Sequence, residues 1–240
     1  FRYWESHYHF LPDAVVVEGP MAGGHLGFKK ENLGMNRIPL QQLVEETVSV
    51  IRPFEESSGK TIPVIAGGGL QTGKDIYEIM KAGAKGVKIG TRFVTTHECD
   101  AAIEFKQAYI DSRQEDIQII KSPVGLPGRV LRNNFIDEVG AGHRRPMKCL
   151  YHCIITCDPQ KSPYCIASAL INAKIGDLRN GFAFCGSNAY RATEIVSVRD
   201  LMHTLEDEFR KEALKRTSTI SSHAPRCNRH DQAADFCHEA

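Results

Sequence analysis

At 240 residues, with 42% hydrophobic and 25% charged residues, the chain has the make-up of an ordinary soluble globular protein with material for a sizeable core. A formal net charge of +1 provides neither a basic field for nucleic acid nor an acidic tail. No apolar run approaches the roughly 18 residues that span a bilayer and the start carries no signal-peptide pattern, so a cytoplasmic protein of one domain plus an appendage is expected, with no nucleic-acid or membrane partner.

The chain begins at Phe1, in what reads as the end of an amphipathic helix, which points to a fragment. Residues 13–18 form a short β-branched strand, and Ile38 to Ile51 then sets Leu40, Leu43, Val44, Thr47, Val48 and Ile51 at helical spacing behind Pro39. Between them "EGPMAGGHLGF" brings Gly23, Gly24 and the titratable His25 to the end of what reads as a buried strand. Ile62 to Ala66 is a second strand, leading through Gly67, Gly68 and Gly69 to a helix over about Gly73 to Ala82, where Thr72 and Asp75 have capping-box spacing. A third strand, Gly86 to Ile89, opens through Gly90 and Thr91 into a helical segment holding Phe93, Ala101, Ala102, Ile103, Phe105 and Ala108, with His97 and Glu98 on the exposed face of that helix.

Short apolar strands, each followed by a helix, predict a parallel sheet covered by helices. An open doubly wound sheet and a (β/α)₈ barrel both fit. The barrel is preferred because barrels often hold phosphate between the loops after strands 7 and 8, where Gly68, Gly69, Gly90 and Thr91 would offer backbone amides and a hydroxyl. The His25 loop then follows strand 6, and strands 1 to 5 lie outside this chain.

Residues 116–135 read as a strand, a Pro/Gly loop and a helix start. In "CLYHCIITCDPQKSPYC", Cys149, Cys153 and Cys157 would share one face of a helix, with Cys165 and His152 nearby. That arrangement is able to bind metal, but the spacing fits no established zinc or iron–sulfur signature, and structural, reduced cysteines are the preferred reading. Ser197 and Asp200 cap a helix with Val198, Leu201, Leu205 and Phe209 on one face. From about Lys215 the periodicity ends, and residues 216–240 are expected to form a disordered tail.

Three stretches, "DAVVVEGPMAGGHLGF", "IPVIAGGGLQTGKDIYEIMKAGAKGVKIGTRFVTTHEC" and "SPVGLPGRVLRNNF", closely resemble the nitronate monooxygenases, FMN-dependent (β/α)₈ enzymes once called 2-nitropropane dioxygenases. The resemblance implies that His25 is the base that takes a proton from the carbon beside the nitro group. It places the FMN phosphate on Gly67 to Gly69 and on Lys88, Ile89, Gly90 and Thr91. Gly23 and Gly24 would leave room where flavin and substrate meet, and Glu18 would face the flavin. Relatives commonly carry glutamine where this chain has Lys88, and their amino-terminal half has no counterpart here. Arg129 and Asn133 match a segment packed over the barrel top and are read as structural, while Ser187 falls in a segment that would bring it toward the flavin phosphate.

The expected organisation is therefore a partial FMN-binding barrel over 1–115, strands 6 to 8 with their helices, followed by a small, mostly helical, Cys-containing appendage over 116–215. The substrates implied are nitronates or nitroalkanes with dioxygen, and the oligomeric state is left open. Two alternatives stand: a flavin-dependent enoyl-acyl-carrier-protein reductase, which shares the fold, the phosphate loops and the histidine, and a non-catalytic fragment that binds flavin or a metal on Cys149 to Cys165.

Overall fold

A computed structural model describes residues 1–222 except 35, 36, 146, 148, 150, 151, 154 and 156, together with the side chains of all described residues up to 215. The elements in chain order are α1 (Arg2–Tyr8), β1 (Val15–Glu18), β2 (Gly24–His25), α2 (Leu40–Ser58), β3 (Val64–Gly67), α3 (Gly73–Lys81), β4 (Gly86–Lys88), α4 (Thr91–Val94), α5 (Ile103–Ile110), β5 (Ile117–Lys121), β6 (Pro127–Leu131), α6 (Asn134–Gly140), α7 (Ile166–Lys174) and α8 (Val198–Ser222). The class is α/β.

Strands β1, β3 and β4 form a parallel sheet in that order, each following strand reached through a helix. Alternation decides which face is covered. Val15, Val17, Val64, Ala66 and Val87 pack with Val44 and Ile51 of α2 and Ile79 of α3. The opposite face is open: Val16 is 54% exposed, and Glu18 and Lys88 are also exposed. The strands are thus buried on one side only, a correction to the fully buried strand expected ahead of Gly23, because no described helix or strand covers that face.

Local chemistry explains the element ends. The Thr72 side chain accepts from the Asp75 amide while Asp75 accepts from the Thr72 amide, the expected capping box. Helix α2 runs to Ser58, past the expected end at Ile51 and through Pro53. Phe54 beyond it packs on the β-sheet core and meets the Phe1 ring at 5.2 Å, contacts that offset the bond Pro53 cannot donate. His97 and Glu98 lie in a turn between α4 and α5, not on a helix, since the backbone at Thr96 pairs with Val196. Glu98 accepts from the Val198 amide and so serves the start of α8.

Ser197 caps α8 by accepting from the Asp200 amide at 3.0 Å, and Leu201 and Leu205 are buried. The helix packs on α3, where the Gly73 amide donates to Glu208 at 2.7 Å and Tyr77 meets Phe209 edge-on. Its backbone continues to Ser222, so 216–222 is helical where a tail was expected. The rest of that expected tail, 223–240, lies outside the described residues.

A second sheet is antiparallel, in the order β2, β6, β5. Residues 127–131, read from sequence as loop and helix start, form strand β6, paired with β5 through a turn at 122–126, and the helix begins only at Asn134. The expectation erred because Pro127 and Gly128 are tolerated at the beginning of a strand. Gly24 and His25 pair with Arg129 and Gly128, so the first 115 residues and the later segment share one sheet.

Candidate functional site

At the carboxyl ends of β1, β3 and β4 lies a cavity of ≈ 340 Å³. Glu18, Gly67 and Lys88 stand in one row across the three strands and form its floor. Every sequence-predicted cofactor position lines it: Glu18, Gly23, Gly24, Gly67, Gly68, Gly69, Lys88, Ile89, Gly90 and Thr91. Three motifs far apart in the chain converge because each follows a parallel strand of one sheet, whose carboxyl ends share an edge. Lys88 donates to Glu18 at 3.3 Å, so this cation already has a carboxylate partner.

The glycine pair before His25 has causes in the backbone besides the room expected for a ligand. A Cβ at Gly23 would come within 2.6 Å of the Cys185 backbone, and Gly24 has φ +76 with open space where a Cβ would point. Close backbone approach at one position and a left-handed conformation at the other require glycine there. Gly68 and Gly69 also have positive φ and pack against the loop at 19–22.

His25 stands beside the cavity. Its ring meets Phe184, a lining residue, edge-on with centroids 4.9 Å apart, and its Nε2 shares a 2.7 Å hydrogen bond with the Ser122 hydroxyl. Partial burial lowers the imidazole below its ordinary 6.5, which favours the neutral form near pH 7. Strand pairing on β6 and the Ser122 bond hold the ring's orientation, as a proton acceptor requires.

Arg129 is buried and donates to the carbonyls of Ala22 and Pro20, fastening the loop that precedes His25. Burial lowers its pKa. Asn133 caps α6 and donates to the Leu178 and Gly181 carbonyls. Ser187 donates to the Met21 carbonyl at 3.2 Å and is not among the lining residues. Its neighbours are: the Gly186 amide donates to Thr91 Oγ1 at 2.8 Å, and Asn188 donates to the Gly69 carbonyl at 2.6 Å. Sequence reading missed Gly186, Asn188, Phe184 and Cys185 as lining residues, although "FCGSN" carries the Gly and Asn signals of a loop. Burial pushes the Cys185 thiol up to about 12, so it is an uncharged wall.

A second cavity, ≈ 430 Å³, is lined by Cys149, Cys153, Cys157 and Cys165 with His152 and Tyr164. Cys149, Cys153 and Cys157 do not lie on a helix as the spacing suggested, and Cys165 is the residue before α7. Burial and the neighbouring thiols of Cys149, Cys153 and Cys165 raise Cys157. Among the described residues all six cysteines are free, and no three His, Cys, Asp or Glu side chains converge on one ion.

A family model described as nitronate monooxygenase matches residues 3–208. A probable nitronate monooxygenase of Staphylococcus aureus is 34% identical over 128 residues, 53% of this chain. That match spans 34% of the relative, so the chain corresponds to about a third of its length. Among solved structures, FabK from Thermotoga maritima matches 91% of this chain and 60% of its own, at 25% identity and a TM-score of 0.68. Nitroalkane oxidase from Streptomyces ansochromogenes matches 86% of this chain and 53% of its own, at 26% identity and a TM-score of 0.60.

Proposed function

Since the chain belongs to the nitronate monooxygenase family, we propose that it carries the phosphate-binding and proton-abstracting part of an FMN-dependent enzyme that oxidises nitronates or nitroalkanes with dioxygen to carbonyl compounds and nitrite. One observation carries the reading: three distant motifs bring ten backbone-rich positions to one cavity with His25 at its border. The parallel sheet is taken as strands 6 to 8 of a (β/α)₈ barrel, residues 1–115, with 116–215 as an appended region.

The residues suit a flavin phosphate. The cavity is in the size range of small-molecule and cofactor sites, and a Cβ at Gly90 would meet nothing within 4 Å, leaving the backbone open to a ligand. Gly68, Gly69 and Gly90 would hold the phosphate through amides, with Thr91 and Lys88 beside them. FMN, when bound there, would supply the redox chemistry that couples nitronate oxidation to dioxygen. His25, neutral near pH 7, takes the proton from the carbon next to the nitro group, and Ser122 keeps the imidazole oriented. Phe184 and the uncharged Cys185 line the cavity beside it. Free thiols at all six described cysteines support a reducing, cytoplasmic setting.

The likeness to FabK supports a second reading, reduction of an enoyl-acyl carrier protein by NAD(P)H. The deciding experiment is anaerobic addition of a nitronate to the purified yellow protein. Bleaching of the flavin band by nitronate upholds the oxidation. Bleaching by NAD(P)H alone moves the assignment to the reductase, and a protein that takes up no FMN sinks both.

A further inference from the structure

The second cavity lies apart from the flavin site and the proposed reaction does not use it. Four cysteines from one 17-residue stretch surround it, and none of them is in a disulfide. Two of its features single out a polynuclear guest. At ≈ 430 Å³ it is much larger than a lone zinc ion needs, because four thiolates at about 2.3 Å from the metal enclose it completely. Four thiols line one space while, among the described residues, no three His, Cys, Asp or Glu side chains converge on a single ion, and an iron–sulfur cluster takes its thiolates on several different irons.

Tyr164 is an independent observation. It is 2% exposed and lines the same cavity, yet its hydroxyl has no hydrogen-bond partner among the described residues. A buried hydroxyl left unpaired costs about 1–3 kcal/mol. An inorganic sulfide or ligating thiolate in the cavity would accept that bond.

We propose that Cys149, Cys153, Cys157 and Cys165 ligate an iron–sulfur cluster in this cavity, with the Tyr164 hydroxyl donating to one of its sulfurs. The cluster ties the four cysteines to the turn between β5 and β6, since Pro123 and Val124 line the same space. Ser122, one residue before Pro123, is the partner of His25. The metal centre thus braces the turn that orients the imidazole. Cys153 is exposed, so the cluster is open to oxygen from one side and is lost in aerobic preparation.

The test is analysis of iron, zinc and acid-labile sulfide in the anaerobically purified chain and in Cys157→Ser, Cys165→Ser and Cys99→Ser. Iron and sulfide in equal numbers, two or four of each per chain, are expected in the parent and in Cys99→Ser and are lost in the other two. Zinc without sulfide, no metal, or iron retained in both Cys157→Ser and Cys165→Ser overturns the cluster. Tyr164→Phe keeps the ring and removes only the hydroxyl. It is expected to retain the iron while the cluster's reduction potential, followed by electron paramagnetic resonance, moves lower. An unmoved potential overturns the role of Tyr164.

Discussion

Lys88 Nζ reaches across the sheet to Glu18 Oε1 at 3.3 Å, and the residue between them in register, Gly67, has no side chain to stand in the way. The pair sets the charge on the cavity floor. Both groups face solvent, so their attraction contributes under about 1 kcal/mol to stability.

The charges should show in anion binding instead. Glu18→Gln removes a negative charge and releases Lys88 toward a phosphate, so FMN affinity is expected to rise several-fold, while Lys88→Gln lowers it. Flavin fluorescence titration at low and moderate salt reads both, with the difference shrinking as salt is added. Identical affinities in all three proteins would remove Lys88 from the phosphate site.

For His25, the informative comparison is between a neutral nitroalkane, which must lose a proton, and the nitronate, which has already lost it. His25→Asn is expected to slow the nitroalkane by roughly 10²–10⁴ and to leave the nitronate nearly unaffected. Ser122→Ala should fall in the same direction by a smaller factor, because it removes the 2.7 Å bond that orients the ring but not the base. Equal loss on both substrates would place His25 in binding.

The pH dependence follows from burial. The folded His25 has a pKa below 6.5, so as pH falls beneath 6.5 the unfolded chain takes up this proton before the folded one. Its contribution to stability is therefore complete above 6.5 and is lost as pH falls through the lowered folded value. Nuclear magnetic resonance titration of the imidazole should give a midpoint under 6.5. A midpoint at or above 6.5 would mean that burial does not govern it.

Gly23→Ala forces a methyl group within 2.6 Å of the Cys185 backbone, and a shift of the 20–25 loop or of 184–186 must follow. A loss of roughly 1–3 kcal/mol is expected, read as a lower midpoint in urea. Gly27→Ala, whose Cβ would meet nothing within 4 Å, is the matched control and should be nearly silent.

Local pattern was enough for the parallel sheet and its helices. Apolar strands, the Thr72 and Asp75 capping box and the glycine punctuation after each strand are short-range signals, and parallel strands bring consecutive strand ends to one edge. Gly68, Gly69, Gly90 and Thr91 were legible for that reason, whereas Glu18, Gly23, Gly24, Gly67, Lys88 and Ile89 came from the family resemblance. The strand at 127–131 was not, because Pro and Gly at its start carry a loop signal that the pairing with β5 and β2 overrides.

The sequence by itself determined the α/β class, the family resemblance and the glycine-rich ends of the strands, and the tertiary structure set Glu18, Gly67 and Lys88 in one row. Tertiary structure alone decided that His25 meets Ser122, 97 positions away, that Lys88 is paired with Glu18, and that Gly23 is required by the backbone of Cys185. It likewise gathered four cysteines around one cavity with Tyr164, whose hydroxyl has no hydrogen-bond partner among the described residues. Periodicity reports the faces of single elements, whereas these contacts join elements whose separation along the chain has no period.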